Sequence, residues 1–457
     1  MLKIIQWASL LFVGLMAGCA HVDQPDLNRL YRSTLTNVEQ PPVILIHGIL
    51  GAKLRRAEGG QEIWIGPLSK LLFSDYRDLA LDIDPNTLNP RPGRDDPFAI
   101  TDHAAGVDFY GRIVAMLEDA GGYTQGKPGQ SVEAHGRRYY LFLYDWRQDN
   151  VDSAARLNDL IEKIRIDYSD PKLKVDIVAH SMGGLVTRYF LRYGTQDVLD
   201  DNQFPVNLWG KSRVRRVILL GTPNLGSVNA LHAFIEGIKV AFGRIPTEVL
   251  ATMPSVYQLF PHPIAGDWIL TSSGKSLKRD LFDVTMWRRF QWSIFDPVVE
   301  RRIVESFDDP QQGRVYAQML GHYFEKQLER ARRFVWSLTV ELDETPWELI
   351  VFGGDCELTA TKLVIEEIDG KSNTRLSPQE IKHPEPGIDY ETIMLAPGDG
   401  TVTKASLLAR DSLDPRVARN PYIFFPIDYS MFICESHDQL TGNVTFQDNL
   451  LHALLSR

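Results

Sequence analysis

The sequence is short of the residues that would commit it to a metal, a redox couple or a nucleic acid. Only three cysteines occur in 457 residues, no two of them form a Cys-x-x-Cys pair, and no histidines recur at helical spacing. Neither a structural nor a catalytic metal is therefore indicated, and no cofactor is expected. Basic residues are also in deficit, 49 Lys and Arg against 59 Asp and Glu, a net charge of −10. A chain without basic excess cannot neutralise a phosphate backbone, so nucleic acid is excluded as a partner. Internal repeats and low-complexity tracts are absent as well. What is present is a hydrophobic fraction of 44% with 10% aromatics, enough for a full globular core. The length admits two or three average domains, or one α/β domain carrying a large insertion.

The first residues, MLKIIQWASLLFVGLMAGCA, combine a basic start at Lys3, an apolar run over 4–16 and small residues before Cys19. That is the pattern of a secretory signal, assigned to 1–18. Leu15-Met16-Ala17-Gly18-Cys19 resembles the lipobox of bacterial lipoproteins, which implies cleavage before Cys19 and lipidation of it. Met16 departs from the usual leucine. Ala20 after the cysteine implies sorting to an outer membrane, facing the periplasm or the surface. Stable anchoring needs more than one acyl chain, which a multiply acylated Cys19 supplies. Residues 19–39 are polar and aperiodic and read as a lipidated tether. Export puts Cys356 and Cys434 where a disulfide persists, although two buried thiols fit the sequence equally.

From residue 40 the pattern alternates. Continuous apolar runs at 43–46, 139–143, 175–178, 217–220 and 349–352 read as strands covered on both faces. Helical spacing lies between them at 109–120, 151–168 and 183–193. Strand and helix in alternation predict a doubly wound, mostly parallel α/β sheet. The alternation fails over 228–345, where helix-like segments rich in Trp, Phe and Arg replace it. So long a connection inside a compact domain is usually functional. The expected organisation is an α/β core at 40–227 and 346–457, with a cap over the active site at 228–345.

The strand at 175–178 runs into Ala179-His180-Ser181-Met182-Gly183-Gly184 and then a helix, the setting of a nucleophile elbow. Ser181 is the candidate nucleophile, and the fold expected is that of α/β-hydrolases. The turn is tight, so the residues two before and two after the serine must be small; Ala179 and Gly183 comply. A serine hydroxyl needs a base, an acid that orients the base, and donors for the oxyanion. The amides of Ile49, in the turn Ile46-His47-Gly48-Ile49-Leu50-Gly51, and of Met182 are the candidate donors, with His47 a structural histidine of that turn. Chain order in this fold is Ser, acid, His. His232, His262 and His322 fall in the expected cap, whereas His437 lies in a late loop before a final amphipathic segment and is the candidate base. For the acid, Asp399 in Gly398-Asp399-Gly400-Thr401-Val402 competes with Asp355 at a strand end, Asp399 being favoured.

The elements Ile46 to Gly51, Tyr144-Asp145-Trp146-Arg147, Ala179 to Gly184, Gly221-Thr222-Pro223-Asn224-Leu225-Gly226-Ser227, Pro254-Ser255-Val256-Tyr257-Gln258-Leu259-Phe260-Pro261, Gly398 to Val402 and His437 together resemble the lecithin:cholesterol acyltransferase family. They occur in collinear order from about residue 42 to the C-terminus. The resemblance implies Ser181 as nucleophile, Asp399 as acid and His437 as base. It also implies a phospholipase or an O-acyltransferase working through an acyl-enzyme on envelope lipid, with a phospholipid or other lipid ester as substrate. The cysteine placement departs from the family's disulfide pattern, and nothing identifies a sterol site. The alternatives are a general triacylglycerol lipase or carboxylesterase, and a catalytically idle lipid-binding lipoprotein. Finally, Trp268, Trp287, Trp292, Trp336 and Trp347, with Arg288, Arg289, Arg301, Arg302, Arg332 and Arg333, make the cap either a lipid-facing patch or a body with its own aromatic core.

Overall fold

A computed structural model describes residues 24–456 except 37–39, 68–69, 71–73, 92, 105–106, 133–135 and 266. The leader and Cys19 lie outside the described residues. The centre is a seven-stranded parallel sheet. Its strands are β1 (Val43–Ile46), β2 (Thr124–Gln125), β3 (Arg138–Phe142), β4 (Val175–His180), β5 (Val214–Leu220), β6 (Glu348–Gly354) and β7 (Tyr429–Ile433). They lie in the order β7-β6-β5-β4-β1-β3-β2, all pairs parallel. The five apolar runs seen in the sequence are β1, β3, β4, β5 and β6. Every residue of β1 and β4 is buried, as continuous apolar runs require when helices cover both faces. The helices α1 (Gly111–Asp119), α2 (Asn150–Asp167) and α3 (Met182–Tyr193) occupy the predicted intervals. This is the α/β-hydrolase fold.

The strand β7 was not legible. Tyr429-Ser430-Met431-Phe432-Ile433 is an edge strand buried only at its last residue, so it has no continuous apolar run. The more apolar stretch 423–426 is loop, with Ile423 and Phe425 in the core and Arg188 stacked over Phe425. A further excursion after β1, the antiparallel strands Ala52–Arg56, Glu62–Trp64 and Asp95–Ile100, also carries no clear alternation.

Between β5 and β6 the interval 228–345 is mainly helical: Val228–Glu236, Val284–Phe290, Pro297–Glu305 and the long Pro310–Ser337. The last three each start from an aspartate cap, Asp283, Asp296 and Asp309, whose carboxylate accepts an amide of the first turn. Two of them carry proline at the first helical position, where its missing N–H is not needed. The interval does not close on itself. Its strand Ile269–Thr271 pairs with Leu363–Ile368, which hairpins with Lys371–Arg375, so part of the chain beyond 345 completes it. It docks on α3 through buried arginines: Arg188 donates to the Leu338 carbonyl and Arg192 to that of Val340, while the Tyr193 hydroxyl donates to the Ser337 carbonyl.

Trp268, Trp287, Trp292 and Trp347 are buried. Trp287 packs edge to face on Phe234 and Phe324, with centroids at 5.7 and 5.1 Å, the arrangement aromatic quadrupoles prefer. Of the two readings these four rings take the core one, and truncating one such residue costs about 3–5 kcal/mol, whereas Trp336 is half-buried against His262. Among the arginines, Arg302 pairs with Glu248, and Arg332 and Arg333 with Glu329. Arg288, Arg289 and Arg301 remain exposed.

The expected tether is also partly ordered. Leu27–Tyr31 is a short helix capped by Asp26. Its i,i+4 pair Leu27 and Tyr31 packs on the core cluster that holds the C-terminal helix, and the Tyr31 hydroxyl bonds Asp448.

Candidate active site

Ser181 ends β4 and opens α3 with φ 53° and ψ −126°, a sparsely populated conformation for a residue with a side chain, held by its surroundings. Those surroundings are glycines. A methyl at Gly48 would lie 2.7 Å from Ser181 Cβ, at Gly183 2.5 Å from the His47 carbonyl, and at Gly184 2.0 Å from Thr222 Oγ1. Ala179 is accommodated, fully buried between β1 and β5.

The structure brings Ser181, His437 and Asp399 together. His437 Nε2 is 2.9 Å from Ser181 Oγ, and His437 Nδ1 is 2.8 Å from Asp399 Oδ2. Asp399 Oδ1 accepts the amides of Thr401 and Val402 at 3.0 and 2.7 Å. Burial would raise this carboxyl, but His437 and the two amides outweigh it and hold Asp399 below the ordinary value. Burial likewise would lower His437, and the Asp399 charge overrides it, so the imidazole is raised above its ordinary 6.5. Asp355, the competing acid, instead pairs with Lys404 at 2.7 Å. His232 and His262 are held in the insertion, their pKa values lowered by burial, and His322 and His452 are exposed.

Each loop is fixed by contacts that the individual motifs do not reveal. Asp399 caps the strand Leu395–Gly398, paired antiparallel with Glu357–Ala360. The Ser227 hydroxyl donates to the Thr401 carbonyl, Asn229 to that of Gly400, and the Ser406 hydroxyl to that of Gly226. The Gly-Thr-Pro motif thereby locks the acid loop. Gly221, at φ 59°, leaves room for His437: a methyl there would stand 3.1 Å from its ring. The His437 amide donates to the Asp399 carbonyl at 2.9 Å. A disulfide between Cys356 and Cys434 joins the ends of β6 and β7, three residues before His437 on the β7 side.

On the other side, the Tyr144-Asp145-Trp146-Arg147 motif supports the 47–51 turn. Tyr144 stacks on His47 at 4.2 Å and donates its hydroxyl to the His47 carbonyl. The Trp146 indole bonds the Ala52 carbonyl, and Arg147 grips Asp145 through two nitrogens and Asp95 through one. Ser255 and Gln258 of the Pro-Ser-Val-Tyr-Gln motif bond the Trp146 carbonyl and the Asn150 amide. His47 is structural, as expected: its Nδ1 donates to the Gly48 carbonyl at 2.7 Å, and burial pushes it down to about 4. Of the predicted oxyanion donors, Ile49 sits in this turn and Met182 follows Ser181 at the start of α3. The neighbouring Gly48 amide is committed to the Tyr110 hydroxyl. Tyr110 and His180, which sequence reasoning passed over, are buried beside the site; no local pattern distinguishes them. Among the described residues no cluster of His, Cys, Asp or Glu could hold a metal ion, and no helix is long and apolar enough to cross a membrane.

The lecithin:cholesterol acyltransferase family model matches residues 139–408, more than half of the chain. No curated protein matches. Of solved structures, a chain of the Tle4–Tli4 complex superposes with a TM-score of 0.56 at 16% identity, covering 91% of this chain and 98% of that one. At that identity the likeness carries the fold. EstA from Clostridium botulinum matches at 13% identity and a TM-score of 0.36, over 95% of this chain and 91% of that one.

Proposed function

The chain belongs to the lecithin:cholesterol acyltransferase family, and from that premise we propose that it cleaves or transfers a lipid acyl ester through a covalent intermediate on Ser181. Membership itself makes the protein a lipid ester hydrolase or acyltransferase. The observation that carries the serine mechanism is the continuous line from Ser181 Oγ to His437 Nε2 and from His437 Nδ1 to Asp399, at 2.9 and 2.8 Å.

In this reading Ser181 Oγ attacks the ester carbonyl carbon while His437 Nε2 takes the hydroxyl proton. Asp399 holds the imidazole in the tautomer that leaves Nε2 free to accept, and stabilises the imidazolium that forms. The amides of Ile49 and Met182 receive the tetrahedral oxyanion. His437 then returns the proton to the departing alkoxide, leaving an acyl-enzyme. Water or an acceptor alcohol, deprotonated by the same imidazole, attacks the acyl carbon; His437 then gives that proton to the departing Ser181 Oγ, releasing the fatty acid or the new ester. The segment 228–345 acts as a cap, supported by the hydrogen bond of its Asn229 to the Gly400 carbonyl of the Asp399 loop at 2.8 Å. The leader pattern supports an exported lipoprotein anchored through Cys19, with an envelope phospholipid as substrate.

The test is a panel of labelled lipids of different head groups, given to the purified protein with and without an acceptor alcohol. Free fatty acid and transferred acyl product are resolved separately. Phospholipid turnover is expected in one or both channels; turnover of triacylglycerol with none of phospholipid would make it a general lipase.

A further inference from the structure

We propose that Tyr110 and His180 are positioning residues that couple the oxyanion turn to the base loop through one directional hydrogen-bond chain. The proposal rests on the reading of Ser181, His437 and the Ile49 amide given above.

The chain has three links. The Gly48 amide lies 2.8 Å from the Tyr110 hydroxyl, that hydroxyl 2.8 Å from His180 Nδ1, and His180 Nε2 3.1 Å from the His437 carbonyl oxygen. Their polarity is forced from both ends. A carbonyl oxygen can only accept, so His180 Nε2 carries the proton; a neutral ring then leaves Nδ1 an acceptor. Nδ1 must take the tyrosine proton, and the phenol oxygen is left to accept from the Gly48 N–H. All three donors and all three acceptors are used once. The neutral ring is consistent with the site, since burial and the neighbouring His437 push His180 down to about 3.

Both side chains are buried, Tyr110 2% and His180 6% exposed. Their rings meet at 5.6 Å, and the His180 ring lies 4.9 Å from that of His437. The consequence is mechanical. Gly48 precedes the amide assigned to the oxyanion, and the His437 carbonyl belongs to the residue that must meet Ser181 Oγ at 2.9 Å. The two loops come from opposite ends of the chain, with Ser181 between them. A fixed path of two side chains sets the distance between the place where the proton is taken and the place where negative charge develops. Errors of an ångström there cost rate without costing substrate binding.

The experiment measures kcat and KM on a short soluble ester, with melting temperature, for Tyr110→Phe, Tyr123→Phe, His180→Gln, His180→Asn and His180→Leu, alongside Ser181→Ala. Tyr123 packs in the same cluster as Tyr110, but its buried hydroxyl has no partner among the described residues, so its loss reports packing alone. The expected result is a fall in kcat of about tenfold for Tyr110→Phe, as for loss of a modest positioning effect, with KM within about twofold and Tyr123→Phe unchanged. Glutamine can keep the link to the His437 carbonyl and asparagine the link to Tyr110, so both should retain more kcat than leucine, which keeps neither. A packing role reverses that order, because leucine is the better filler of a buried site. Reversal, or Tyr110→Phe matching Tyr123→Phe in kcat, overturns the proposal. Activity surviving in Ser181→Ala would instead overturn the serine mechanism beneath it.

Discussion

Ser181 and its two partners are held by different means. Ser181 owes its position mainly to its own neighbours, a fully buried strand before it, a helix after it and glycines at 183 and 184, with Gly48 of the 46–51 turn leaving room for it across the fold. Asp399 is held locally by the Thr401 and Val402 amides, but that does not bring its loop to His437. Asp399 and His437 are placed by hydrogen bonds from Ser227 and Asn229 and from the Gly400 amide to the Thr359 hydroxyl, by the gap left at Gly221 and by a disulfide, all between segments distant in sequence. The serine side is preset by sterics, whereas the acid and base side is assembled by the completed fold. Damage should therefore differ in kind: at the serine it removes chemistry, and at the loops it misaligns chemistry or loosens the fold.

The sharpest contrast lies in the chemistry itself. Ser181→Ala should lower kcat by several orders of magnitude with an unchanged melting temperature; substantial residual turnover would break the account of the serine side. Next, Asp399→Asn should cost about 10³–10⁴-fold in kcat, while Asp355→Asn, removing only the pair with Lys404, should cost less than about tenfold, the exposed-pair range being about 0–1 kcal/mol. The same pair can be read in pH. A base must be neutral to accept the serine proton, and Asp399 raises His437 above 6.5. The acid limb of kcat/KM should thus have its midpoint above 6.5 and move down in whatever activity Asp399→Asn retains. A limb that does not move with the aspartate would separate it from the base.

Gly221→Ala tests the assembled side without replacing a reacting group. It forces a side chain into the left-handed region and against His437, costing about 1–3 kcal/mol of stability and, with the imidazole displaced, more than tenfold in kcat. Cutting the disulfide by Cys356→Ser should cost about 2–4 kcal/mol, measured by denaturant titration, with a smaller change in kcat below the melting transition. A kcat collapse at full stability would mean that the bridge holds His437 directly.

The smallest effect concerns the insertion, whose exposed arginines stand apart from both sides of the site. Replacing Arg288 and Arg289 by alanine should lower activity on anionic vesicles a few fold, more so at low salt where attraction is less screened, and leave a short soluble ester untouched. Equal activity on both substrates would remove the patch from the mechanism.

The same division explains what could be read from the sequence. The five central strands and the elbow announce themselves, since fully covered strands need unbroken apolar runs and the tight turn needs small residues beside Ser181. His437 followed from chain order and position, whereas local pattern favoured Asp399 over Asp355 without deciding between them. What separates them is Lys404 on one and His437 on the other, partners brought near by folding. The edge strand at 429–433 escaped because half of it is exposed, and the tryptophans of the insertion were ambiguous because aromatic composition alone does not tell a core from a membrane face. Tyr110 and His180 were silent for a plainer reason: a buried tyrosine and histidine acquire a role only through what stands across from them.

The most direct measurement is to trap the intermediate. The protein is mixed with a lipid ester carrying a labelled acyl chain, quenched in acid within milliseconds to seconds, digested and mapped by mass spectrometry. The account predicts a labelled acyl group on Ser181, absent from Ser181→Ala. Label on a different residue, or turnover with no acylated Ser181 at any time, would contradict it.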